Sequence, residues 1–361
     1  MRQYLDRARS GVGTVIGTLV GLRYYWERIG HALVTLVAVT TITFALFRLM
    51  PGNPADAMRA DFERRLGGRG EAADPEVIDQ MVQVHTGFDP DKPIHLQYVD
   101  YLQDIFIHQD FGQSIQYGDP VFDILFAAMP WSVFISVYGL AFGYMANILL
   151  GAAMAYKEGS RFDSYATVMA TFLNSIPYYV GALLFLAFFA YKLGWFPGGG
   201  RYNTRIDAGL NPEFMWSIIH HGTLPIMSSF IVGFGGGALS MRGNSVRILG
   251  EDYLRVARLR GISSTRIATR YVARNAILPL YTQMMIGIAA VFSSSVVLEY
   301  IFTYPGVGWY TFDAIQMRDY PLLMGSFLFF TIITLIGILI AEFTYGIVDP
   351  RAGSGGQSES Y

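Results

Sequence analysis

From Leu322 to Ala341 the chain runs for twenty residues without a single charge. As a helix that stretch is about 30 Å long, the thickness of a bilayer's hydrocarbon core. A helix covering a water-soluble core keeps a polar face, so this one belongs in lipid. The apolar residues come in blocks of twenty or more, not at amphipathic spacing, so the chain reads as a multi-span membrane protein. Composition agrees: 52% of residues are apolar and 15% charged, against about 25% charged in a soluble domain. A length of 361 residues would suit two soluble domains, but this composition excludes them. With no cysteine there is no disulfide framework, cysteine-ligated zinc or thiol nucleophile.

Six segments are long enough to cross: 30–50, 130–156, 166–191, about 223–241, 277–299 and 321–347. The expected fold is an all-α integral membrane protein of six transmembrane helices, with a small extracytoplasmic domain after the first. Arg48 lies near the end of the first span, where its head can snorkel to the interface. Residues 11–22 are too short to span. They read as an interfacial segment or the apolar part of a signal peptide, although no small-residue cleavage site follows.

Arginine sets the orientation. Segments 1–29, 157–165, 242–276 and 348–361 share one side and carry 16 basic residues, against 9 on the other side. Five of those 9 lie in the long segment 51–129, and long segments cross largely regardless of charge. The expected protein is therefore a multi-pass cell-membrane protein with both termini cytoplasmic. Its segments are a cytoplasmic stretch 1–29, the first span 30–50, an outer domain 51–129, a core 130–348 and a cytoplasmic tail 349–361. The outer domain holds 14 acids and 5 bases. Its carboxylates either contact a partner, cover an outer mouth, or only solvate a surface. Within it, Ile94, Tyr98, Tyr101, Leu102, Ile105 and Phe106 recur at helical spacing.

The inner loop 242–276 contains RVARLRGISSTRIATRYVARN, with six arginines and no acid. Glu251 to Arg260 reads as a short helix that Gly261 ends in the left-handed conformation. Ser263 or Ser264 can cap a second helix, in which Arg266, Arg270 and Arg274 share a face. A solvated positive loop near anionic headgroups, a DNA-reading helix pair and a docking site for a cytoplasmic partner all fit the charge. A tether between two spans disfavours DNA, and the glycine elbow favours docking, because headgroup attraction needs no defined turn.

The pattern Asp252-Tyr253, Ala257, Gly261, Arg274-Asn275-Ala276 and Pro279 resembles the coupling loop of ATP-binding-cassette importer permeases. The resemblance is to the dipeptide, oligopeptide and nickel group. Arg255-Val256-Ala257 stands where the general motif has Glu-Ala-Ala. Pro51-Gly52-Asn53-Pro54, Asp110-Phe111-Gly112-Gln113-Ser114, Ser175-Ile176-Pro177, Glu299 with Phe302, Pro305-Gly306 and Gly308, Arg318-Asp319-Tyr320-Pro321 and Asp349-Pro350-Arg351 resemble the B-type permease in order, over about 30–351. This implies a type I importer permease paired with a C-type permease, two ATPase subunits inside and a binding protein outside. ATP and magnesium would reside on the ATPases. The coupling site would be Asp252, Tyr253, Arg255, Val256, Ala257, Arg258, Leu259, Arg260 and Gly261. In that reading Arg255, Arg258 and Arg260 bond to the ATPase while Val256, Ala257 and Leu259 pack in its groove.

The residues add their own evidence. No phosphate-binding glycine loop ending in Lys-Ser/Thr exists, so the chain is not itself the ATPase. Polar residues within spans are path candidates or helix-packing residues: Asn147, Asn174, Ser175, Ser228, Ser229, Gln283 and Ser293, Ser294 and Ser295. Pro177 interrupts its helix and frees a carbonyl, which makes Asn174 to Pro177 the leading candidate. Gly139-x-x-x-Gly143 and Gly233-x-x-x-Gly237 suit close packing. Glu299 reads equally as a gate or as an interface anchor. An ion-coupled secondary transporter is the rival function, but only Glu342 lies clearly within a span. The adjacent pair His220-His221 reads as a surface loop feature, since helical metal ligands need a spacing of three or four. The substrate is a peptide, nickel or an oligosaccharide.

Overall fold

The computed structural model describes residues 26–47, 59–60, 63, 77–78, 80, 82, 92–263, 266–272 and 296–348. Most of the expected fifth span lies outside the described residues, as do both termini and most of 51–91. Among the described residues every element is helical, and Gln113 and Pro120 form one isolated bridge. The helices are α1 (Trp26–Phe47), α2 (Ile94–Gln103), α3 (Val121–Tyr156), α4 (Arg161–Ser175), α5 (Tyr178–Phe185), α6 (Pro212–Leu249), α7 (Asp252–Leu259), α8 (Val307–Met317) and α9 (Tyr320–Val348).

Helices α1, α3 and α9 are each long and apolar enough to cross a membrane. Two bent pairs raise the number to five. Helix α4 and the segment Tyr178–Lys192 meet at 95°, and the halves of α6, Pro212–Ile231 and Gly235–Leu249, meet at 49°. The third expected span, 166–191, is thus two helices rather than one. The helix of the second begins at Val121, not 130, with Pro130 inside it. Helix α6 overruns the expected 223–241 at both ends, and it takes Arg242 and Arg247 out of the inner loop.

Local chemistry sets the ends. Ser160 caps α4, its hydroxyl accepting the Asp163 N–H at 3.2 Å. Asn211 Oδ1 accepts the Phe214 N–H at 2.7 Å, and Pro212 follows in the first turn of α6, where a missing N–H costs nothing. Asp319 Oδ1 accepts the Leu322 N–H at the start of α9.

Helices α3 and α6 pack along most of their length, and glycines set the spacing. Gly139 faces Ser229, Gly143 faces Phe230 and Gly151 faces Ala238 and Met241. A Cβ on Gly237 would overlap the Asn147 amide. Gly235 lies against the Ala170 carbonyl oxygen, so α4 also meets α6 backbone to backbone. These contacts assign Asn147 and Ser229 to packing. Ser228 is buried and donates to the Pro225 carbonyl within its own helix. Helix α2 rests on the C-terminal part of α1 through Tyr98–Thr41, at 2.6 Å, and the rings of Tyr98 and Tyr101 on Phe44.

Gly235→Ala should lower the thermal midpoint in detergent by an amount equal to about 1–3 kcal/mol, because the methyl meets a carbonyl that cannot rotate away. Gly30→Ala, in α1 with open space around its Cβ, should raise it slightly. Equal effects at the two sites would refute backbone contact at Gly235.

Candidate functional site

Helix α7 follows α6 after only Gly250 and Glu251. The join is bonded throughout: the Gly250 N–H reaches the Val246 and Arg247 carbonyls, and the Glu251 N–H reaches Ile248. One face of α7 is rooted. Leu254 and Ala257 are buried against Met241, Ile248 and Ile267, with Ile262 and Tyr271 alongside. The other face is open, with Leu259 81% exposed, Val256 and Tyr253 about half exposed, and Asp252, Arg255, Arg258 and Arg260 exposed around them.

Gly261 closes α7 as its sequence demands. Its φ is +70°, its N–H bonds the Arg258 carbonyl at 3.0 Å, and the next N–H, of Ile262, bonds the Ala257 carbonyl at 3.2 Å. These are the two bonds of a Schellman motif, and Ile262 supplies the accompanying apolar contact. The chain then turns at Ser263, whose carbonyl accepts the Ile267 N–H, into a π-helical turn at Ile267–Val272.

Two expectations change here. Ala257 does not face a partner: three positions after Leu254, it shares the inward face, and its small side chain lets α7 settle on the end of α6. The segment after Gly261 is a π-helical turn at Ile267–Val272 rather than the second α-helix expected there. Arg266 and Arg270 are both exposed, and Ser264 and Arg274 lie outside the described residues.

The leading path candidate coincides with the 95° break. Helix α4 ends at Ser175, Ile176 is extended (φ −83°, ψ 123°), and Pro177 opens α5 by accepting the Val180 and Gly181 N–H groups. Asn174, Ser175 and Pro177 are exposed. Ser175 donates to the Thr171 carbonyl at 2.8 Å, while the Asn174 amide lies over Gly236 of α6. Gln283, Ser293 and Ser294 lie outside the described residues.

Glu299 does not sit at the interface as an anchor. It is fully buried, and Oε2 accepts the Trp309 N–H at 3.1 Å, near the start of α8. Ser132 Oγ of α3 accepts the Val307 N–H at 2.8 Å. Gly306 lies against both side chains, so the turn at Tyr304–Gly308 is threaded between α3 and Glu299. The segment before α6 clasps it: the Gly200 N–H donates to the Thr303 carbonyl and Arg201 to the Pro305 carbonyl, with the guanidinium over Trp131. Separately, Asp319 is buried and accepts from Ser114 Oγ at 2.5 Å and from the Gln116 N–H at 3.0 Å. Desolvation, then the hydrogen bond to Asp313, holds the Tyr117 phenol well above its ordinary pKa.

Some of this had no sequence signal. Arg242 and Asp163, 79 positions apart, form a bidentate pair at 2.6 and 2.7 Å. The two histidines belong to α6, not to a loop. His220 Nε2 bonds the Trp195 carbonyl and His221 Nδ1 the Ser217 carbonyl.

Residues 147–354 match the family described as the inner membrane component of binding-protein-dependent transport systems, and residues 21–137 match that family's N-terminal region. Among curated proteins, the oligopeptide transport system permease protein AppB of Bacillus subtilis is 31% identical over 88% of this chain and 94% of its own. The dipeptide transport system permease protein DppB of Haemophilus influenzae is 30% identical over 91% of this chain and 98% of its own. DppB of Bacillus subtilis is 29% identical over 91% and 97%.

Gly261→Ala meets no atom within 4 Å, so its cost is conformational, about 1–2 kcal/mol. Amide exchange should quicken at 252–262 while α3 stays protected; uniform quickening would contradict this. Glu299→Ala removes the acceptor of the part-buried Trp309 N–H and should destabilise the protein by about 1–3 kcal/mol in thermal unfolding.

Proposed function

We propose the following role for this chain, which belongs to the family of inner membrane components of binding-protein-dependent transport systems. It is a multi-pass permease subunit and not an enzyme; nucleotide hydrolysis is the work of a separate ATPase, and a binding protein brings substrate. Membership in this family displaces the ion-coupled alternative.

The transported substrate is a peptide rather than nickel or an oligosaccharide, in keeping with the dipeptide and oligopeptide permeases the chain resembles along nearly its full length. The chain pairs with a related C-type permease and two ATPase subunits that carry ATP and magnesium. Both termini and α7 are cytoplasmic, in line with the arginine distribution.

The observation that carries the mechanism is the two-faced α7. Leu254 and Ala257 root it, while Val256 and Leu259 stand open in a ring of Arg255, Arg258 and Arg260. Arginine forks suit carboxylates and carbonyls, and exposed apolar side chains suit a groove. Helix α7 therefore docks in a cleft of the ATPase. Closure of the ATPases pushes α7, and the push enters α6 without a flexible linker. Substrate crosses between this chain and its partner permease past the break at Asn174 to Pro177, while the turn held by Glu299 closes the outer end. Nucleotide thus biases a two-state element, which is alternating access.

In membranes containing the whole transporter, Leu259→Asp should weaken ATPase capture about thirtyfold, the effect of removing one apolar anchor. A cysteine replacing Leu259, in a chain with no other, should cross-link to the ATPase. Full capture by the Leu259→Asp protein, or labelling of that cysteine only from outside the cell, would overturn the assignment.

A further inference from the structure

The pair Asp163–Arg242 has no role in the reading above, yet it stands at a junction. Arg242 sits seven residues before the end of α6, next to Met241, whose side chain packs in the cluster that roots α7. Asp163 lies in the first turn of α4, the helix that ends at the 95° break. Arg242 Nε donates to Asp163 Oδ1 at 2.6 Å and Nη2 to Oδ2 at 2.7 Å. The Gly159 N–H donates a third bond, to Oδ2, at 3.0 Å. The carboxylate side chain is 5% exposed.

Two more contacts lie along the same seam. Seven residues along each helix, in opposite directions, Ala170 presents its carbonyl to Gly235, and the Asn174 amide lies against the neighbouring Gly236. Seven residues are about two helical turns, so the fork and the Ala170–Gly235 contact lie on one line. The inner half of α6 (Gly235–Leu249) is therefore held to α4 by a fork at one end and by backbone contact at the other. The outer half behaves differently. Leu224 and Ile226 pack with Ala182 and Leu186, on the far side of the break. The 95° and 49° bends fall between these two groups of contacts.

We infer that Asp163 and Arg242 are positioning residues that bind α4 to the inner half of α6 as one body. Movement of α7 is thereby delivered to the break at Ile176–Pro177 instead of being lost between helices. A planar fork suits this task, because a bidentate pair resists both sliding and rotation. The inference rests on the docking role of α7 proposed above, and adds the part that carries its motion into the membrane.

The chain has no cysteine, so two introduced ones can be labelled cleanly. Nitroxides at Tyr165→Cys on α4 and Arg247→Cys on α6, both exposed positions, report the distance across the seam. The measurement uses the assembled transporter in lipid nanodiscs, nucleotide-free and after vanadate trapping. In the native pair background the distance should be the same in both states. With Asp163→Asn and Arg242→Met together, which leaves no unpaired buried charge, it should shift by about 2 Å on trapping. In sealed proteoliposomes, uptake of the labelled dipeptide alanyl-alanine per ATP hydrolysed should then fall about tenfold.

A native distance that itself changes on trapping overturns the inference. So does a paired variant whose distance stays fixed, or shifts equally in both states, as a merely structural contact would. If that variant fails to assemble, Arg242→Lys decides by the same distance: it keeps the charge and loses the fork, and an unchanged distance overturns the inference. ATPase capture, scored on the same samples with Leu259→Asp, separates a failed pin from a failed docking site.

Discussion

Helix α6 lies against both α3 and α4 because small residues stand where the backbones meet. In lipid there is no hydrophobic gain from burying one apolar side chain against another, so close packing must supply the association. Gly235 against the Ala170 carbonyl, Gly151 against Ala238 and Gly237 against Asn147 bring the helices to that distance. The other functional features are placed by this contact. It sets α7 at the foot of α6, aligns Arg242 with Asp163 and lays Asn174 over Gly236.

The same packing separates two groups of contacts, one on each side of the bends. On one side, α4, the Gly235–Leu249 half of α6 and α7 share a backbone seam, an ion pair and the cluster around Met241 and Leu254. On the other, α5, the Pro212–Ile231 half of α6 and the residues around Leu298 to Tyr304 share a second cluster. Helix α3 runs unbroken past both for 36 residues. An unbroken helix beside two bent ones is suited to small relative motions, because glycine faces offer few side chains to unlock. The turn at Tyr304–Gly308 and the start of α9 are held differently, by buried polar groups: Glu299 on the Trp309 N–H, Ser132 on the Val307 N–H and Asp319 on Ser114. Such bonds strengthen in low dielectric and carry a directional geometry that apolar packing lacks.

Much of the fold was legible because lipid imposes a strict rule on sequence. Charge-free runs located α1, α3 and α9, although Val121 and Trp26 show the helices starting outside the runs themselves. Gly261 was readable because a left-handed residue after a helix is a local event, set by the chain's own backbone. Pro177 was readable for the same reason, but the 95° angle was not, since an angle depends on what each half packs against. Ala257 was misplaced because six arginines drew the eye to an outward face, when the i, i+3 partner Leu254 marked the inward one. The burial of Glu299 was not legible because hydropathy treats an acid at a span's end as wet, and only its contact with the Trp309 N–H reveals it as dry. The resembling segments Asp110 to Ser114 and Arg318 to Pro321 proved to be in contact, the first supplying the Ser114 hydroxyl, and Gln116 just after it an N–H, to the Asp319 cap of the second.

By itself the amino-acid order determined that this chain is a set of membrane helices, where its inner glycine elbow turns, and that it lacks the phosphate loop to burn nucleotide. Those properties depend on the transfer energy of single segments and the dihedral preferences of single residues, so they are written locally. Tertiary structure decided which face of α7 is free, that Glu299 is buried, and that an aspartate and an arginine 79 positions apart share two hydrogen bonds. Each of these depends on the distance between segments remote in the chain, and that distance is set by how closely glycine lets two backbones approach.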